Sequence, residues 1–186
     1  MFKACLAAII IFVMVLSGCT KENPVENSIQ PGTDDRTLIS LPKSSGEQVE
    51  ATFSATNLIN GNIGGEVLID KQYKSSSGIV KIFSKIKFKP ASFTGSKLIK
   101  MTIDDVNGTI SFDPPSVFNR PAYLDMKFEG IDLSRIDWKT ADFVYVNPNG
   151  AFEPVKYKSM TIDALRGLLE VKDAEINHFS RYGFCR

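Results

Sequence analysis

The chain has 186 residues, with 22 Lys and Arg against 21 Asp and Glu, and a single His. That near-balance lacks the basic excess that nucleic acid or an anionic membrane surface selects, so neither is expected as the main partner. One histidine and three widely separated cysteines exclude a multi-histidine metal centre and a zinc cage of paired cysteines.

The amino terminus carries Lys3 followed by an apolar run over residues 4–16. A positive charge and an apolar stretch of roughly 13 residues match a secretory leader, and the stretch is too short to span a bilayer as a helix. It ends in Leu16-Ser17-Gly18-Cys19, after which the chain turns abruptly polar. This box resembles the lipobox of bacterial lipoproteins. Small residues leave the backbone open to a peptidase, and the thiol sulfur of Cys19 accepts a diacylglycerol. The resemblance implies cleavage before Cys19, removal of residues 1–18, export, and attachment to a lipid bilayer through acylated Cys19. In Gram-negative lipoproteins an Asp after the cysteine retains the protein in the inner membrane. Thr20 stands there, which implies the outer membrane. The plainer alternative is an ordinary secretory leader with a chance cysteine. Loss of the leader removes Lys3 and Cys5 and leaves 21 basic against 21 acidic side chains. Only Cys185 then remains beside the lipidated residue, so a monomer has no internal disulfide.

Residues 19–48 are polar and broken by Pro and Gly, as in Gln30-Pro31-Gly32 and Lys43-Ser44-Ser45-Gly46. Isolated apolar residues without a period cannot bury enough surface to offset ordering entropy, so this stretch reads as a disordered tether. About 30 such residues have a root-mean-square span near 30 Å. A short strand over residues 38–41 is the one structured alternative within it.

Residues 49–186 are long enough for one domain with a real core. Their dominant signal is period two. Val80, Ile82, Ile86 and Phe88 alternate with lysines; Ile99, Met101 and Ile103 alternate with Lys100 and Thr102. Ile110 and Phe112 follow, and then Leu124, Met126 and Phe128. Each run puts one side chain in a core and the next in water. Asn107-Gly108 between two such runs is a hairpin signal. Further strands are expected over residues 67–70, 143–147, 152–157, 167–172 and 174–179, with helical turns at 134–138 and 161–166. The fold class expected is all-β, an antiparallel β-sandwich of about nine or ten strands.

Several segments carry a second resemblance: Gly64-Gly65-Glu66-Val67, Lys87-Phe88-Lys89-Pro90, and Phe118-Asn119-Arg120-Pro121-Ala122-Tyr123-Leu124. The chain closes on His178-Phe179-Ser180-Arg181-Tyr182. Together these look like exported bacterial lipoproteins with a ZU-type sandwich, the module of ankyrins, netrin receptors and zonula-occludens scaffolds. One departure is that Gly95 falls five residues after Pro90, where the family turn reads Pro-x-Gly. The resemblance implies a non-enzymatic interaction module without a cofactor, binding an envelope protein or surface ligand.

Three alternatives carry chemistry. Some ZU-type domains cut their own backbone at His-Phe-Ser, with the Ser hydroxyl attacking the preceding carbonyl and the His moving the proton. Here Ser180 would attack the carbonyl of Phe179, assisted by His178. Against that, cleavage would release only residues 180–186. In the plainer reading Ala174, Ile176 and His178 share one face of a last strand, Asn177 and Phe179 the other, and Arg181-Tyr182 lies at an edge. The second alternative is a carbohydrate-binding sandwich that stacks sugars on exposed aromatics such as Trp138, Tyr145 and Tyr157. The third pairs Asp132 and Asp137 as acids beside Trp138, although carboxylates on a polar loop are usually just solvated. Asp104-Asp105-Val106-Asn107-Gly108 does not fit the EF-hand spacing, because Ile103 stands where the first acidic ligand belongs. The sequon Asn107-Gly108-Thr109 reads as a turn. No Gly-x-Ser-x-Gly elbow, phosphate loop or dinucleotide fingerprint occurs, so no cofactor or metal is expected.

Overall fold

The computed structural model describes residues 35–45, 52–137 and 139–186. The leader, the box at Cys19, Thr20, the rest of the tether and Trp138 lie outside the described residues. Eleven strands follow in chain order: β1 (Thr52–Asn60), β2 (Gly65–Ser75), β3 (Gly78–Phe88), β4 (Ser96–Asp104), β5 (Thr109–Asp113), β6 (Val117–Glu129), β7 (Asp142–Val146), β8 (Phe152–Pro154), β9 (Ser159–Asp163), β10 (Leu168–His178) and β11 (Arg181–Cys185). They form two antiparallel sheets, a six-stranded one in the order β1-β4-β5-β11-β7-β8 and a five-stranded one in the order β2-β3-β6-β10-β9. The described fold is all-β, as the alternation implied.

The period-two runs settle where the core sits. Val80, Ile82 and Ile86 of β3, Leu124, Met126 and Phe128 of β6, and Ile99, Met101 and Ile103 of β4 are all buried. Their lysine and acidic neighbours face water, so each sheet keeps one apolar face for the other. Full burial of such side chains contributes roughly 1.5–3 kcal/mol apiece. Phe88, Phe93, Phe112, Phe118 and Phe179 close one end of the sandwich, with Phe112 and Phe179 stacked 5.0 Å apart and Phe118 edge-on to Phe179 at 4.8 Å.

Four local expectations are corrected. No helix forms at residues 134–138 or 161–166 among the described residues. The second stretch instead ends β9 in a turn, where the Asp163 carboxylate accepts the amides of Leu165 and Arg166. The strand expected over residues 152–157 stops at Pro154, because the chain there leaves one sheet for the other. Two strands expected on either side of Asp173 are one strand, β10, bulged at Asp173 with φ 51°. Last, Arg181–Cys185 is no edge: β11 pairs with β5 on one side and β7 on the other. Its residues Tyr182 to Cys185 are all buried. Both faces of this strand are covered, which explains why its sequence does not alternate.

The segment read as tether runs beside the end of β11, with Leu38 bridging Cys185 in antiparallel register. Thr37 and Arg186 exchange backbone hydrogen bonds of 2.9 Å, and the Ile39 amide donates to the Phe184 carbonyl. The Leu41 amide then donates to the Asp105 carbonyl, and Ser45 donates to Lys74. Ile39 and Leu41 are buried in the core, while Leu38 and Phe152 pack on Val144, Val146 and Cys185. Residues 36–45 are thus a strap, running from the end of β11 past the β4–β5 hairpin to the β2–β3 hairpin. Gly108 makes the passage possible: its φ is +57°, and a Cβ there would collide with the Ile39 carbonyl.

Candidate functional site

The outer face of the five-stranded sheet stays open. Over most of its area it is laced with ion pairs, including Lys81–Glu129 at 3.4 Å, Lys127–Glu129 at 2.9 Å and Lys172–Glu170 at 3.4 Å. At the end nearer Phe88 the pattern changes. A cleft of about 730 Å³ opens there between the outer faces of β2, β3, β6 and β10 and the crossing segment 156–158.

Register builds its floor. Glu66 of β2 lies opposite Lys87 of β3, Lys87 opposite Tyr123 of β6, and Tyr123 opposite Glu175 of β10. The Glu175 amide donates to the Lys156 carbonyl at 2.8 Å, which brings the crossing segment alongside. Asp125 holds the arrangement from beneath. One of its oxygens accepts the Lys87 ammonium at 3.2 Å and the other accepts the Asp173 amide at 3.0 Å. That second bond seats the β10 bulge, which turns Asp173 towards Lys158 at 3.9 Å. The hydrogen bond to Asp125, more than its charge, raises the Lys87 pKa. Lys89 lies 4.1 Å from the centre of the Tyr123 ring, a cation–π contact. Among the described residues Glu66, Glu175, Lys89 and Lys156 form no ion pair.

Tyr157 fastens the crossing segment. It is half-buried against the core and its hydroxyl donates to Asp142 of the opposite sheet at 2.9 Å. Burial, reinforced by that bond, pushes its pKa up to about 12.

The residues singled out from sequence disperse. His178 lines an adjoining concavity of about 350 Å³ that shares Lys156 and Glu175 with the cleft, with its ring 4.8 Å from Tyr145 and 6.2 Å from Tyr182. Ser180 lines another of about 470 Å³ beside Phe112 and Arg181. No hydrogen bond joins the Ser180 hydroxyl to the His178 imidazole among the described residues. Phe179 is buried and its amide donates to Ser116 at 2.7 Å, so Phe179, not His178, continues the inward line of Ala174 and Ile176. The His178 carbonyl accepts the Tyr182 hydroxyl at 2.6 Å. Tyr145 and Tyr157 are half-buried against the core. Asp132 and Asp137 each accept the backbone amide two residues on, Ser134 and Lys139, and so cap two separate turns. Bonds from Ser134 hold the Asp132 pKa down.

Asp104 accepts the Val106 amide and the Asn107 side chain, which shapes the β4–β5 hairpin. Asp105 is buried with one carboxylate oxygen unpartnered. Cys185 is a free, buried thiol, its pKa raised by burial, with the Arg36 guanidinium 4.0 Å from its sulfur. Among the described residues no group of three or more His, Cys, Asp and Glu side chains is placed to hold a metal ion.

Tyr123, Glu66, Glu175 and Lys156 were not singled out from sequence. Each is an ordinary outward residue of its own segment, and only the pairing of four strands puts them in a row. No family model, curated protein or solved structure matches the chain.

Proposed function

We propose that the chain is a lipid-anchored envelope protein, tethered through Cys19, whose β-sandwich is a non-enzymatic binding module with the cleft at Tyr123 as its binding surface. The observation that carries the reading is the contrast on one sheet face. Ion pairs neutralise most of it, whereas Glu66, Glu175, Lys89 and Lys156 converge on a concave site without ionic partners. Unpaired charges around a half-buried ring are groups held ready for a ligand. The ZU-type resemblance supports the same role, and the two-sheet architecture agrees with it at the level of fold class. The lipobox supports the anchor, and Thr20 favours the outer membrane. That no hydrogen bond joins Ser180 to His178 among the described residues weighs against self-cleavage.

The test uses the full chain in intact cells, labelled with palmitate and then probed by crosslinking and pull-down. Cys19→Ala is expected to abolish labelling. Tyr123→Ala with Lys156→Ala is expected to abolish specific capture while labelling persists. Labelling that survives Cys19→Ala overturns the anchor, and capture indifferent to the cleft pair overturns the binding surface.

A further inference from the structure

The cleft is lined mainly by side chains, with Gly65 the one glycine in its wall. β3 and β6 are paired on both sides, and the Glu175 amide of β10, which lies beyond the stretch paired with β9, is taken by the Lys156 carbonyl. A peptide adding as a strand needs a free edge; of the strands in this floor only β2 lies at the edge of the sheet, away from Lys87, Tyr123 and Glu175. Recognition here must run across the strands along the row Glu66, Lys87, Tyr123, Glu175 and Lys156. At about 4.8 Å between neighbouring strands, five positions span roughly 19 Å.

The order of groups in that row is acceptor, donor, aromatic ring, acceptor, donor. A hydroxyl both donates and accepts, so a chain of hydroxyl-bearing units satisfies carboxylates and ammoniums in turn. A phosphate or carboxylate ligand uses only the donors and leaves Glu66 and Glu175 repelling it. The local charge agrees: the lysines at 87, 89, 156 and 158 are matched by Glu66, Asp125, Asp173 and Glu175. With no net charge the site has no electrostatic selection for a polyanion or a polycation. Tyr123, midway along the row, lines the cleft with a ring that holds the Lys89 ammonium 4.1 Å from its centre, and the C–H face of a sugar would share or displace that contact. Resting on the binding-module reading, we propose that the cleft binds a neutral oligosaccharide of about four units, laid across β2, β3, β6 and β10 and centred on Tyr123.

The experiment titrates the full-length protein in detergent micelles with a fixed panel: cellotetraose, maltotetraose, mannotetraose and chitotetraose as neutral probes, with tetragalacturonate and tetraglutamate as anionic ones. At least one neutral tetrasaccharide is expected to bind at millimolar concentration or below, with little change on adding salt. Tyr123→Ala should weaken it more than roughly tenfold, a loss above about 1.4 kcal/mol, while Tyr123→Phe retains it. Glu175→Gln, at a half-buried position that keeps its size, should weaken it with the unfolding midpoint unchanged. Three results overturn the proposal: no neutral probe binding at millimolar concentration, binding confined to either anionic probe with affinity falling steeply with salt, or neutral binding untouched by both Tyr123→Ala and Glu175→Gln. If the panel fails while the same variants still abolish capture in intact cells, the sugar proposal falls and the binding-module reading stands.

Discussion

The two sheets of this sandwich treat their outer faces in opposite ways. On the six-stranded sheet, segment 36–45 pairs beside the end of β11 and buries Ile39 and Leu41 in the main core, while Leu38 and Phe152 pack on Val144, Val146 and Cys185. On the five-stranded sheet no described segment covers the row at Tyr123, and polar side chains surround an aromatic ring there. The difference shows how one architecture divides its labour. Where a second apolar layer exists, the protein spends its own chain on it and gains stability. Where the outer layer is polar, it leaves the surface free, and concavity and unpaired charge there serve recognition.

The contrast makes predictions of decreasing size. The strap should matter most. Ile39→Ala removes a buried side chain at the docked segment and should cost about 2–5 kcal/mol in denaturant unfolding. A cost near zero would mean that docking of the strap contributes little to stability.

Next comes the crossing segment that joins the sheets. Tyr157 has its pKa held up to about 12, against an ordinary value of 10.0. Above pH 10 the unfolded chain therefore loses this proton before the folded one does. Stability that is complete below pH 10 should fall as pH climbs towards 12. Tyr157→Phe should flatten that fall, measured as the unfolding midpoint across the alkaline range. An unchanged slope would show that burial and the Asp142 bond do not hold the Tyr157 proton.

The open face should respond least. Lys81→Ala deletes the partner of Glu129 at 3.4 Å, with the lysine side chain 61% exposed. Its cost should stay under about 1 kcal/mol and shrink in high salt. A larger loss would make this face structural too and blur the contrast.

How much of this could be read from sequence differs by element. The alternating runs in β3, β4, β5 and β6 marked both the fold class and the core, because one buried face and one wet face write period two directly. β1 escaped notice. Its inward line is Phe53, Ala55, Asn57 and Ile59, and Asn57 spends its side chain on the Glu66 carbonyl, so the apolar period is broken. β11 escaped for the opposite reason, being buried on both faces. The strap looked like linker because Ile39 and Leu41 are only two apolar residues in a polar stretch. Their burial depends on Gly108, some 70 positions away in the sequence. The cleft was the least legible part. Its groups come from β2, β3, β6, β10 and the crossing segment, and no local pattern encodes cross-strand register.

The most direct test places a photo-crosslinking residue at one of two exposed positions of the full chain in intact cells. One is Lys156, at the cleft; the other is Lys100, on the outer face of the six-stranded sheet. Crosslinked adducts at 156 and none at 100 are the predicted result. Adducts at 100 alone, or equal adducts at both positions, would contradict the assignment of binding to the open face of the five-stranded sheet.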